Sequence, residues 1–248
     1  MWGAGISLEA VILLRSFRSR MLASYPLFYA YMACVLLTEL SRYLLHAMNS
    51  PLWVNWYWGT EFLCLLMGYF VIFDILEKTL APYEGPKRFA RNVGLLVFAS
   101  VVAFTTIQLI ARNRFAQGLT SVEVDRNLRS AELVLLGGVL LIVANYGIPI
   151  GRNLKGIILG YGLYVAAVVM DDAARSYLGR SFQGIFSAVK SYSYFATLLV
   201  WAVALWSYHP NPVPSEPGNL NGDYQVMVTK TKNALGAVRS QLGKGGRT

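Results

Sequence analysis

Four ionisable side chains, Glu39, Arg42, His46 and Glu61, stand in the largely apolar and aromatic stretch from Thr38 to Phe62. A charge at bilayer depth costs about 2.5 to 3.5 kcal/mol on insertion scales, so it is kept where it meets a partner, a water-filled cavity or a task. Glu39 and Arg42 are three residues apart, as are Asp172 and Arg175, and that spacing sets acid and guanidinium on one face of a helix. Glu39 and Glu61 together face a single obvious cation, Arg42. The surplus of negative charge predicts a shared proton, a bound cation or a hydrated pocket. The candidate ligand- or proton-binding residues are therefore Glu39, Arg42, Glu61, Glu132, Asp171, Asp172 and Arg175, with Gln108 and Lys190 at similar depth.

Other chemistries find no support. His46 and His209 are the only histidines, too few for a multi-histidine zinc site, and His46 lies two turns above Glu39, so no metal ligand set is assigned. No serine stands in a G-x-S-x-G setting, and there is no phosphate loop, dinucleotide fingerprint or haem motif, so neither a catalytic residue nor a cofactor is expected. A retinal protein would need a lysine deep within its last helix, whereas Lys190 lies near the start of this one. Cys34 and Cys64 fall inside apolar runs and read as small apolar residues, not as a disulfide.

The elements that must position these groups are helices. The 248 residues are 55% hydrophobic and 14% charged, and the apolar residues come in runs near the length of about 20 that crosses a bilayer. Runs such as Val93 to Ile110 lack the period-2 alternation of barrel strands, which leaves an all-α, polytopic transmembrane bundle of about seven helices. The expected spans are Ile6 to Phe17, Pro26 to His46, Trp53 to Lys78, Asn92 to Ala111, Leu128 to Ile148, Leu154 to Leu178 and Phe186 to Tyr208. Pro82 to Arg91 reads as a basic loop and Arg112 to Asn127 as a polar connection. Gly156, Gly160, Gly162, Gly137 and Gly138 read as close-packing faces between helices.

The net charge of +9 sits in short loops and in the tail, where topology and anionic lipid explain it better than nucleic acid does. The lysines and arginines of segments 15–20, 78–91 and 152–155 and of the tail outnumber those of the opposite loops, which favours N-out, C-in. In that orientation the buried polar residues share the outer half of the bundle. At 1.5 Å per residue, Glu39 lies roughly 12 Å and Glu61 roughly 9 Å below the outer ends of their helices.

Beyond the bundle, 1–208, a Pro-rich linker occupies 209–219 and a basic amphipathic tail 220–248. In the tail Tyr224, Val228, Thr231, Leu235, Val238 and Leu242 form one stripe beside Lys230, Lys232, Arg239 and Lys244, suited to an anionic inner leaflet or to a membrane or cytoplasmic protein.

Trp56-Tyr57-Trp58-Gly59-Thr60-Glu61 at the start of one helix and Ser24-Tyr25-Pro26-Leu27-Phe28 at the start of another resemble seven-helix inner-membrane proteins of bacteria that have no assigned activity. The resemblance covers most of Met1 to Tyr208 and implies a multi-pass protein of the bacterial inner membrane. It brings no catalytic residues. The residues themselves favour a non-enzymatic sensor or small-ligand or proton-binding module with an outer pocket. A proton- or cation-coupled transporter would need a polar route to the inner side. An accessory subunit, or a homo- or hetero-oligomer, would turn the same charges towards another chain.

Overall fold

The computed structural model describes residues 2–48, 52–111, 119–178, 183–212 and 222–233, and every regular element among them is a helix. In chain order these are α1 (Trp2–Arg18), α2 (Met21–Ser24), α3 (Pro26–Ala47), α4 (Trp53–Thr79), α5 (Glu84–Ala111), α6 (Leu119–Tyr146), α7 (Arg152–Leu178), α8 (Gln183–Ala204) and, in the tail, α9 (222–233). Segments Asn55–Thr79, Val124–Tyr146 and Arg152–Ala174 are long and apolar enough to cross a membrane. Large apolar side chains on the outside of the bundle, among them Leu96, Phe104, Val134, Leu141, Met170 and Val203, suit a lipid environment.

Pro26 opens α3 at its first turn, where a missing N–H costs nothing. The same rule explains a departure from the expected loop at Pro82 to Arg91. Glu84, Gly85 and Pro86 form the first turn of α5, Lys87 N–H donates to Tyr83 O at 2.9 Å, and the helix runs on through Arg88 and Arg91. The expected connection from Arg112 to Asn127 is likewise helical from Leu119 onwards. Val124, Leu128 and Ala131, four and three apart, bring that early part of α6 onto Leu65 and Tyr69 of α4 and Val97, Phe98 and Val101 of α5. At the other end of α6, Gly147 adopts φ +58° and stops the helix.

The pairwise packing closes a ring: α1 on α3, α3 on α4, α4 on α6, α6 on α7, α7 on α8 and α8 back on α1, with α5 outside against α4 and α6. The end of the ring holding the C-termini of α4 and α8 and the N-termini of α3 and α7 is filled by apolar side chains, including Phe28, Ile72, Ile75, Leu136, Leu154 and Trp201. Phe28 meets Trp201 edge-on with ring centroids 5.0 Å apart. Asn153 of α7 donates to the carbonyls of Ala204 and Ser207 at 2.8 Å each, satisfying backbone acceptors that the end of α8 leaves open.

Of the small-residue faces, the one on α7 is used. Gly156 lies against Ala204 and Gly160 against the Trp201 indole, and Gly162 approaches Leu136. Gly137 and Gly138 are not close-packing positions, since an added Cβ would meet nothing within 4 Å at either. In the tail Tyr224 and Val228 are half-buried, whereas Thr231 of the same stripe is exposed, as are Lys230 and Lys232. Tyr224 rests on Phe89 and Gly85 of α5, and Tyr146 donates to Asp223 at 3.3 Å. The remaining stripe residues, Leu235, Val238 and Leu242, lie outside the described residues.

Candidate functional site

The opposite end of the ring is polar, and its organising group is the carboxylate of Glu61. Glu61 sits in the third turn of α4, facing α3. Its Oε2 accepts from Arg42 Nη2 at 3.1 Å and its Oε1 from Arg129 Nη2 at 2.5 Å, while Lys190 Nζ stands 3.9 Å away. The expected negative surplus is therefore reversed at this point, with one carboxylate meeting cations from α3, α6 and α8. Arg42 still pairs with Glu39 at 3.4 Å, as their spacing foresaw. Arg129 is held from its other side by Asp125, one turn earlier on α6, at 2.9 and 3.0 Å. Paired, hydrogen-bonded guanidinium and carboxylate groups of this kind offset the cost of their burial.

The aromatic start of α4 turns out to be the clamp on Arg42. Arg42 Nε donates to Thr60 Oγ1 at 2.8 Å, Nη2 also donates to the Tyr57 carbonyl at 3.2 Å, and the guanidinium lies 4.5 Å from the Tyr57 ring centroid. Trp56 Nε1 donates to Ser41 Oγ at 2.8 Å, fixing the α3–α4 seam beside it. Four of the six residues from Trp56 to Glu61 thus engage Ser41 or Arg42.

Beside this cluster the ring encloses a cavity of about 440 Å³, within the range of small-molecule sites. All six ring helices contribute to its wall. Three acids, Glu9, Glu39 and Glu61, and three cations, Arg42, Arg129 and Lys190, line it among the described residues, and Tyr31, Tyr57, Tyr164 and Tyr194 supply aromatic faces. Cys64 also lines it, its Sγ 3.5 Å from Thr38 Oγ1, and Cys34 and Cys64 are both free thiols.

The other expected site residues are distributed differently. Glu132 lies one turn deeper on α6 than Arg129, is 0% exposed, and accepts from Tyr161 Oη at 3.0 Å beneath the cavity. Gly68 of α4 backs this pair so closely that a Cβ there would overlap Tyr161 Oη and Glu132 Oε1. Gly68→Ala is expected to destabilise the protein by about 2 kcal/mol, by overpacking and by forcing apart a buried hydrogen bond. A thermal unfolding comparison in detergent checks it. Asp171 and Asp172 lie two turns beyond Tyr164 on α7 and are not part of the cavity wall. The Arg175 and Gln108 side chains, and so the expected Asp172–Arg175 pair, fall outside the described residues. His46 packs against Trp53 with centroids 5.6 Å apart, and no cluster among the described residues is arranged to hold a metal ion.

Sequence reasoning missed Arg129, Asp125 and Glu9. Asp125 falls in the expected connection and Arg129 just inside the expected helix, so their spacing of four, a helix-face signal, was split between the two. Glu9 has no charged residue three or four positions away in the first expected span to mark it. It is buried at 1% exposure, and its Oε1 accepts from Tyr194 Oη of α8.

Comparison with protein-family models, with curated proteins and with solved structures gives no match.

Proposed function

We propose that this is a multi-pass protein of the bacterial inner membrane, N-out and C-in, that binds a small ligand in a pocket in the outer half of a seven-helix bundle and performs no catalysis. The observation that carries the reading is the cavity of about 440 Å³ inside the helix ring, walled by three acids, three cations and tyrosines. A purely structural ion-pair layer needs no such space. The apolar filling of the opposite half, from Leu136 and Ile157 to Trp201, gives an ion no polar route across and so speaks against transport. Ligand-linked reporting would run through the bundle to the tail, where Tyr224 of α9 rests on Phe89 of α5 and leaves Lys230 and Lys232 free for an anionic leaflet or a partner protein.

The test is a thermal-stability screen of the full chain in mild detergent against small solutes, with Gly5→Phe as control. Gly5 lines the cavity, and the nearest atom to an added Cβ is Leu198 Cδ1 at 3.9 Å, an ordinary van der Waals distance, so a larger side chain starts there from uncrowded backbone. A solute at a hundred times its Kd should stabilise the parent by about 2.7 kcal/mol. Gly5→Phe should fold and lose that response. A screen in which no solute stabilises the parent, or in which Gly5→Phe responds equally, would overturn the pocket.

A further inference from the structure

Within the cavity wall one acid differs from the others. Glu39 and Glu61 each meet a guanidinium, whereas Glu9 has the Tyr194 hydroxyl on Oε1 and no hydrogen-bond partner on Oε2, an atom shielded from solvent in a residue that is 1% exposed. A buried carboxylate oxygen without a donor is costly and rare, and Glu9 is among the residues that line the cavity. A bound molecule is the natural source of the missing donor.

The surroundings define what that molecule carries. Tyr194 packs edge-on against Tyr164, ring centroids 5.4 Å apart, and Tyr31, Ile6, Val35 and Phe195 extend the aromatic and aliphatic part of the cavity wall. Aromatic faces beside a carboxylate attract a cation through the ring quadrupoles as well as the charge. Arg42 and Arg129, the nearby guanidiniums of the wall, are already neutralised by Glu39, Glu61 and Asp125, so they oppose an incoming cation less than free charges would. Lys190 lies one turn before Tyr194 on α8, towards Glu61, and leaves the α1 side as the place for positive charge.

We propose that the pocket takes an organic amine, its ammonium bound by Glu9 with Tyr194 and Tyr164 and its apolar body against Ile6, Val35 and Phe195. This rests on the reading of the cavity as a ligand pocket and adds the chemical class. A neutral alcohol would leave the carboxylate charge uncompensated, and a carboxylate ligand would be repelled by it.

Three probes of one shape separate these cases on the full chain in detergent: 2-phenylethylamine, 2-phenylethanol and 3-phenylpropionate. The amine should raise the melting temperature in a dose-dependent way and the other two should not. Glu9→Gln should weaken the amine about thirtyfold, the size of effect expected when a buried charge partner is removed. The selectivity series on the unaltered chain decides even if that variant fails to fold. Binding of the acid or the alcohol in preference to the amine would overturn the amine assignment and leave the pocket standing. Undiminished amine binding by Glu9→Gln would overturn Glu9 as its partner. If no probe binds and no solute in the wider screen distinguishes Gly5→Phe from the parent, pocket and amine fall together.

Discussion

Glu61→Leu should be the most damaging single change at the polar end of the bundle, costing about 3 to 5 kcal/mol, because it strands buried cations that the carboxylate now joins. Among the described residues Arg129 would keep the Asp125 ion pair, Arg42 that with Glu39, and Lys190 would lose the carboxylate 3.9 Å away. The reciprocal change is milder. Arg42→Met leaves Glu61 with Arg129 at 2.5 Å, so about 1 to 3 kcal/mol is expected, for the lost Thr60 and Tyr57 bonds and the lost Glu39 ion pair. Glu61→Gln, which keeps an acceptor and loses the charge, should fall below Glu61→Leu. Equilibrium unfolding of the three variants in one detergent gives the order. Were Arg42→Met to exceed Glu61→Leu, the hub would be the arginine and not the carboxylate.

A comparable loss is expected at the opposite end from Gly156→Leu. An added Cβ there overlaps the Ala204 Cβ and comes within 3.5 Å of its Cα, so the clash is with a side chain that has no freedom and with backbone behind it. Relief requires α7 and α8 to separate along the ring's most extensive contact. The cost should be about 3 kcal/mol, the upper part of the range for overpacking. Gly137→Leu, facing open space on α6, should be near neutral and serves as the control. Equal effects at both positions would mean that glycine flexibility, not the α7–α8 approach, governs this region.

How much of this was readable in the chain depends on whether the signal was local. Helical class follows from apolar runs without alternation, and the Glu39–Arg42 pair from a spacing of three, both of which need only a few neighbouring residues. The start of α6 was not readable from apolarity, because Asp125, Arg126 and Asn127 interrupt the apolar pattern between Val124 and Leu128, so composition alone placed the helix too late and hid the Asp125–Arg129 pair. The start of α5 was hidden by Pro82, Gly85 and Pro86, which are breakers in a helix interior and tolerated in a first turn. Glu9 and Tyr194 are 185 residues apart, and no pattern within either helix announces that ring closure of α1 on α8 brings them together. The charge balance around Glu61 failed for the same reason, since Arg129 and Lys190 arrive from helices 68 or more residues further along the chain.

The cavity itself carries a native reporter. Cys64 is in its wall, whereas Cys34 is not, so in a Cys34→Ala chain a single thiol samples the space. The decisive measurement is the reaction of Cys64 with the membrane-impermeant reagent 2-(trimethylammonium)ethyl methanethiosulfonate in intact cells. A pocket that is hydrated and open to the outside gives modification without permeabilisation, and Gly5→Phe slows it. Modification only after permeabilisation, or a rate that Gly5→Phe leaves unchanged, would contradict an outward-facing ligand pocket.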